Sequence, residues 1–243
     1  MNDASLGEHL LDRQEEDRRG PRAERPSDAG TTAETPWSTG YRRLGRQEMR
    51  ELVGRPDDVT LLKILNHLDR NCMTFLAHSP FCCMATADAA GLADCSPRGD
   101  YPGFARVLDE RTIVVPDRIG NKIADSFENI ADNPHVGLLF FVPGTVETLR
   151  VNGRAYLTDD EDLRTMLEQD HVRPDLALVV EIDEVYLHCG RALLRSRLWE
   201  PDMQELAGEI PSPGQFWADA AATPEMSAEK MNQVFESGYQ DLY

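Results

Sequence analysis

Phe81-Cys-Cys-Met-Ala-Thr-Ala87, Asp88-Ala-Ala-Gly91 and Leu92-Ala-Asp-Cys-Ser96 form the stretch on which the fold turns. A short apolar run, a turn signal and a returning run read as two antiparallel strands joined by a hairpin-length link. Cys82 and Cys83 then point to opposite faces, and thiols in such a run read as small buried hydrophobes. Downstream the strand pattern persists. A Pro- and Gly-rich loop from Pro97 to Gly103 leads to a strand over 104–108, and Asp109-Glu-Arg-Thr112 turns into Ile113-Val-Val115. Residues 136–142 are near-continuously apolar, Pro143-Gly144 turns the chain, and 145–157 is a long strand with Asn152-Gly153 as a bulge or bend. Residues 176–188 form the last strong strand. The regular β-α-β alternation of a doubly wound sheet is absent, so the pattern predicts a mainly β fold with α decoration, an antiparallel barrel or sandwich.

Helical spacing fills the gaps. Arg46–Val53 reads as a short helix. Asp57 or Asp58 caps a longer one that runs through Val59, Leu62, Leu65, Leu68 and Cys72, with Phe75 and Leu76 completing its apolar face. Ile123, Phe127 and Ile130 predict a helix over 121–131, stopped by Asn133-Pro134. Asp159 or Asp160 caps a helix reaching about Gln169, and a last modest helix falls at 226–235.

Composition sets the frame. The 243 residues hold 25 basic and 43 acidic side chains, a formal charge of -18 that would repel a phosphate backbone, so nucleic acid is not an expected partner. No stretch approaches the roughly 18 apolar residues of a membrane helix, and the charged first thirty residues offer no signal-peptide core. Five cysteines without a C-x-x-C pair fit reduced thiols and a cytoplasmic chain. Three parts are expected: a disordered acidic tail over 1–40, a domain over 41–200, and a C-terminal extension over 201–243.

Catalytic signatures are missing: no G-x-S-x-G, no Walker loop, no H-E-x-x-H, no G-x-G-x-x-G. The six histidines show no ligand spacing, so no metal site is expected. One segment stands out, between Ser96 and Arg154, with Arg98, Arg106, Arg111, Arg118, Lys122, Arg150 and Arg154 in an otherwise acidic chain. In Asp117-Arg-Ile-Gly-Asn-Lys122 a strand passes into a helix, Gly120 gives backbone freedom and Asn121 is a candidate cap. A helix start welcomes an anion, and Lys122 in its first turn is unfavourable by some tenths of a kcal/mol unless one binds there. Arg118 and Lys122 beside bare amides suit a phosphate. The alternative is an ordinary capped link whose Lys reaches solvent along its stem. Ser96-Pro-Arg-Gly-Asp100 reads equally as a polar turn.

The ordered series Ala85-Thr-Ala-Asp through Gly91, Asp94-Cys-Ser-Pro-Arg-Gly-Asp100, Pro102-Gly-Phe104, Leu108-Asp-Glu-Arg-Thr112, Pro116-Asp-Arg-Ile-Gly-Asn-Lys122, Asn129-Ile, Asn133-Pro, Gly137-Leu-Leu-Phe140, Pro143-Gly and Glu147-Thr-Leu-Arg-Val-Asn-Gly-Arg-Ala155 resembles the pyridoxamine 5'-phosphate oxidase-like, FMN-binding split-barrel superfamily. The resemblance runs from about Leu44 to Trp199 and is greatest to a branch of FMN-dependent enzymes of unassigned substrate. It implies a six-stranded split β-barrel, a homodimer, and FMN in clefts between subunits.

Carried over by position, the resemblance places Ser96, Pro97 and Arg98 on the strand under the flavin ring and ribityl chain. Val115, Pro116 and Arg118 fall on the next strand end, and Asn121 and Lys122 on the basic pair that holds the phosphate. Asn121 stands where the oxidases have Arg, so Arg118 or Arg98 would compensate. Thr148 and Arg150 fall on the strand reaching the flavin of the other subunit, and Arg195, Arg197 and Trp199 near the dimer cleft. The Arg-x-His pair of true pyridoxamine-phosphate oxidases has no counterpart after Arg191, which argues against vitamin B6 oxidation. The helix after Lys122 is expected to be longer by about a turn than in those oxidases. The implied function is an FMN-dependent oxidoreductase acting on a small organic substrate; such a flavin enzyme needs no triad in the protein. The alternatives are a non-catalytic flavin- or haem-binding barrel, with His188 or His135 as axial ligand, or use of the deazaflavin F420.

Overall fold

A computed structural model describes residues 40–223, 226–240 and 242–243. The expected tail over 1–40 lies outside the described residues apart from Gly40. The described residues up to Asn66 form one unit and those from His67 to Tyr243 a second.

The first unit holds α1 (Arg46–Val53) and α2 (Asp58–Leu62). α1 has the predicted bounds, with Glu48 reaching back to the Gly45 N–H at 3.0 Å. α2 is capped by Asp57, whose side chain accepts from Thr60 N at 2.6 Å. The long helix expected from Asp57 or Asp58 through Leu76 is instead two. Its second part is α3 (Arg70–His78), in the second unit. Asp69 ends the continuity: its carboxylate accepts from Cys72 N at 2.7 Å and so starts a new helix, while Leu68 N is drawn to Glu110 O at 2.7 Å.

The second unit is built on seven strands: β1 (Phe81–Ala87), β2 (Ala93–Gly99), β3 (Arg106–Asp109), β4 (Thr112–Pro116), β5 (His135–Phe141), β6 (Thr148–Thr158) and β7 (Ala177–His188). They form one sheet in the order β2-β1-β5-β6-β7-β4-β3, every pairing antiparallel. The sheet thus has one strand more than the resemblance implied. β2, with Pro97 near its middle, and β3 are the two edges. The expected turns close as read: Leu92 N reaches Asp88 Oδ1 at 2.8 Å, and Arg111 N reaches Asp109 Oδ1 at 2.7 Å.

Burial follows the curvature. On β1 and β5 it alternates, with Cys82, Met84, Val136, Leu138 and Phe140 inside. On β4 and β7 successive residues (Ile113, Val114, Val115; Ala177 to Val180) are all buried, so both faces are covered. One of those faces is closed by α5 (Glu161–Met166) and the residue after it: Leu167 packs with Val114, Ala177 and Val179, and Leu163 joins them. Asp160 caps α5, as one of the two residues expected there, with Leu163 N at 3.0 Å. β6 and β7 slip register at Asn152/Gly153, the predicted bulge. A side chain at Gly153 would meet Glu181 O at 2.1 Å, so the crossing of the two backbones admits only glycine.

α4 (Asp125–Asp132) lies over β1 and β2, held by Asn129 Nδ2 donating to Thr86 Oγ1 at 3.0 Å and by the buried Ile130. After β7 come α6 (Arg191–Ser196), a 3-10 helix (Pro201–Glu209), α7 (Pro213–Ala221) and α8 (Ala228–Gly238). Among the described residues, a 3-10 helix and two α-helices therefore stand in the extension where one helix was expected. α8 overlaps the predicted segment, and α7 arises because Ser212 caps Pro213 at N1, accepting from Gln215 N at 3.3 Å. No helix among the described residues is long and apolar enough to cross a membrane.

Candidate functional site

The link after β4 is where a helix start was expected to meet two cations. α4 begins four residues later than the expected 121, at Asp125, so the helix is shorter than expected, and its N-cap is Ala124, with no side-chain cap. Asn121 is not the cap; its Oδ1 accepts from Ile123 N at 3.0 Å and shapes the loop instead. Lys122 is therefore outside the first helical turn. It is exposed, held in the left-handed region at φ 63°, with Ala124 at φ 62°. Neither residue has a glycine's freedom there, so the loop holds two strained positions. Among the described residues Lys122 makes no ion pair. The helix dipole is answered by the protein's own acids: Asp125 and Glu128 stand in the first turn. Asp94 joins them, accepting from the hydroxyls of Ser126 and Ser96, the latter at 2.8 Å. The Ser126 hydroxyl is the main cause holding the Asp94 carboxyl below its usual 3.8.

β2 presents Asp94, Ser96 and Arg98 to the side covered by α4, because alternate residues share a face. Ser96 Oγ is shared between Asp94 and Ser126, both at 2.8 Å. The Arg98 guanidinium stacks over Phe127 of α4 at 4.7 Å from the ring centroid, and Nη1 reaches Asp117 Oδ1 at 3.3 Å. Its Nε is buried without a hydrogen-bond partner. Burial pushes the Asp117 carboxyl above the ordinary value, and Arg98 opposes that. Pro97, between them, faces the other way and is exposed.

Arg118 turns inward. Its Nε donates to Asp100 Oδ2 at 2.5 Å, Nη2 to Leu167 O at 2.8 Å, and its guanidinium carbon lies 5.4 Å from the Tyr243 ring centroid. Val115 and Pro116 are buried in β4. The structure thus clusters Ser96 and Arg98 under α4 and leaves Asn121 and Lys122 on the outer loop. Arg118 is directed to a separate network with Asp100.

Thr148 and Arg150 occupy the opposite face of the sheet. One pairing row runs Pro97, Cys83, Leu139, Arg150, Tyr186, and the neighbouring row runs Cys95, Ala85, Gly137, Asn152, Glu184. This face is small and apolar over β2, β1 and β5 and polar over β6 and β7. Arg150 Nη1 donates to the Tyr186 hydroxyl at 2.9 Å, and Asn152 Nδ2 to Glu184 Oε1 at 2.9 Å. His188 stacks on Tyr186 with ring centroids 6.1 Å apart, and Thr148 pairs with His188 across the strands and is buried. His135 is exposed, its Nδ1 against Asn133 Oδ1 at 2.8 Å. Trp199 Nε1 donates to Thr145 O at 2.9 Å, Arg197 pairs with Asp202 at 2.6 Å, and Arg195 is exposed. No cluster of three metal-ligating side chains occurs among the described residues. Burial pushes the Cys72 and Cys82 thiols up to about 12, which leaves both inert at neutral pH.

Reading the sequence did not single out Phe127, Tyr186 or Tyr243 as partners of these arginines. The first two carried a usable signal, an aromatic on the segment packed against each arginine. Tyr243 carried none.

The antiparallel, edge-open sheet with α4 lying over β1 and β2 defines a split β-barrel. The chain belongs to the pyridoxamine 5'-phosphate oxidase family, whose sequence profile matches residues 68–189. Among solved structures it is similar to the HupZ protein of Group A Streptococcus (15% identity, 49% of this chain and 93% of that one, TM-score 0.42). It is also similar to a pyridoxamine 5'-phosphate oxidase-like protein of Lactobacillus delbrueckii (24%, 50% and 94%, TM-score 0.39). A third is HutZ, described as a heme storage protein, of Vibrio cholerae (15%, 50% and 93%, TM-score 0.33). No curated protein matches the chain.

Proposed function

We propose that this protein is an FMN-dependent oxidoreductase that works as a pair of identical chains on a small organic substrate. The observation that carries the reading is Lys122. In a chain of charge -18, an exposed ammonium without an ion pair among the described residues is held on a strained loop. Strain of that kind persists where surrounding structure enforces it, and it clusters at ligand clamps. The position is also the one that the family resemblance assigns to the phosphate.

The residues present fit such a group. Lys122 supplies a point charge, and the Arg98 Nε lacks an acceptor that a bound anion or its water could provide. On the opposite face of the sheet, the flat stretch formed by Cys83, Ala85, Pro97, Gly137 and Leu139, bordered by Arg150 and Tyr186, suits the ring system of the flavin whose phosphate the other chain of the pair holds. When bound, FMN supplies the hydride or electron transfer. The chain's own part is to hold the phosphate at Lys122, to keep Arg98 in place by stacking on Phe127, and, from the opposite face, to orient with Arg150 the polar atoms of the flavin held by the other chain. Asp94, Asp125 and Glu128 already answer the α4 dipole, so the phosphate is held by side-chain charge more than by the helix end.

The test is a fluorescence titration of flavin-free protein with FMN, alongside the absorption spectrum of the protein as purified. FMN is expected to bind, and Lys122→Ala to weaken it at least tenfold, about 1.4 kcal/mol. A wild type that leaves FMN fluorescence unchanged overturns the reading. A Soret band from bound haem in place of flavin absorbance favours the haem-binding alternative.

A further inference from the structure

Tyr243 lies 143 positions along the chain from Asp100, yet its hydroxyl donates to Asp100 Oδ1 at 2.6 Å. The acceptor is built into the fold. Asp100 Oδ1 also takes the N–H of Tyr101 at 2.7 Å, and Oδ2 takes Arg118 Nε at 2.5 Å. The Asp100 side chain is only 2% exposed and that of Arg118 16%. Arg118 is fixed from a second side by its bond to Leu167 O, so the guanidinium plane is set independently of Tyr243. Two recognition elements therefore stand ready together: a carboxylate oxygen for an incoming O–H, and a flat cation for the face of a ring.

The remaining Arg118 nitrogen, Nη1, is buried with no hydrogen-bond partner. A guanidinium that packs on a ring tolerates such a donor, because the π face takes the place of an acceptor. Beside Asp100 and Arg118 a cavity of about 50 Å³ remains, bounded also by Pro102, Phe104, Arg106 and Gln169.

We propose that Asp100 and Arg118 form a binding site for a phenol, a neutral aromatic ring bearing a hydroxyl, and that Tyr243 is its tethered occupant. Charge selects this class. An anionic ligand would face the Asp100 carboxylate, whereas a neutral ring with an O–H satisfies the carboxylate and the cation at once. Burial and the Asp100 carboxylate push the Tyr243 phenol up to about 12, so the occupant is the neutral form. A tethered group acts at an effective concentration on the order of millimolar, so a free phenol competes in the intact chain only above that level.

The experiment uses flavin-free full-length protein and 4-methylphenol as probe, with binding followed by calorimetry and by NMR. Tyr243→Ala is expected to bind the probe at least tenfold more tightly than wild type, and toluene, which lacks the hydroxyl, to bind neither. Adding Asp100→Asn to Tyr243→Ala is expected to abolish the gain, with a melting curve to establish that the double variant is folded. Equal probe affinity in wild type and Tyr243→Ala overturns the proposal. Toluene binding as tightly as 4-methylphenol to Tyr243→Ala overturns it as well, and that arm stands even where Asp100→Asn does not fold. No step depends on FMN, so this outcome is independent of the flavin titration.

Discussion

Gly153→Ala isolates what the bulge between β6 and β7 demands. A methyl at this position would sit 2.1 Å from Glu181 O, 3.0 Å from its carbonyl carbon and 3.3 Å from Ile182 Cα. A carbon and a carbonyl oxygen settle at roughly 3.3 Å or more, so the two strands must part by about 1 Å. The obstruction is backbone, which cannot swing aside as a side chain would. Overpacking of this kind costs about 1–3 kcal/mol, and the opening also weakens ladder hydrogen bonds worth about 1 kcal/mol each. A total of about 3 kcal/mol lowers Tm by about 6–12 °C in a domain of this size. The assay is denaturant unfolding and thermal melting followed by circular dichroism. Gly144→Ala is the control: Gly144 has open space but φ 83°, so only backbone strain acts there, at about 1–2 kcal/mol. A Gly153→Ala variant as stable as the Gly144→Ala control would refute the reasoning.

Three further outcomes follow from single contacts. Removing the α3 cap with Asp69→Ala is expected to cost about 1 kcal/mol and to bring the Cys72 thiol down from about 12, read by melting and by thiol-reagent kinetics at alkaline pH. Unchanged reactivity would show that burial alone sets the thiol. Asp94 titrates below 3.8 when folded, so its stabilising contribution is present above that value and is lost as pH falls through the depressed one. In Ser126→Ala its pKa should rise, and the stability gap to wild type should narrow as pH drops below about 3.8; a chemical-shift titration showing no rise refutes the assignment. Lys122→Ala should leave the melting temperature of flavin-free protein within about 1–2 °C of wild type, because its side chain is exposed and without an ion pair, while FMN affinity falls.

The sequence made some of this plain for reasons that can be named. Asn152-Gly153 announced the bulge because only glycine allows the close strand crossing there. Asp160 announced α5 and Arg46–Val53 fell out of composition and spacing, since both are local. The break between α2 and α3 was hidden because Leu62, Leu65, Leu68 and Cys72 keep helical spacing across it; Asp69 was the overlooked signal. The start of α4 had no signal at all, because an alanine at φ 62° goes against its own preference and is imposed from outside. At the candidate site the residue types were legible and their directions were not. Which face of β2 carries Ser96 and Arg98 depends on where α4 lands. The capture of Arg118 depends on Asp100, Leu167 and Tyr243, which lie far apart along the chain.

Pro97 near the middle of β2 has a consequence outside any site. An edge strand is a template onto which a stranger's backbone can zip, and growth of fibrils begins on such rims. The imide nitrogen has no hydrogen to offer, and proline is tolerated in sheets at their margins for that reason. The margin formed by β2 therefore lacks one donor that a further strand would need, and is a poorer template for zipping at Pro97 than an edge with every N–H in place.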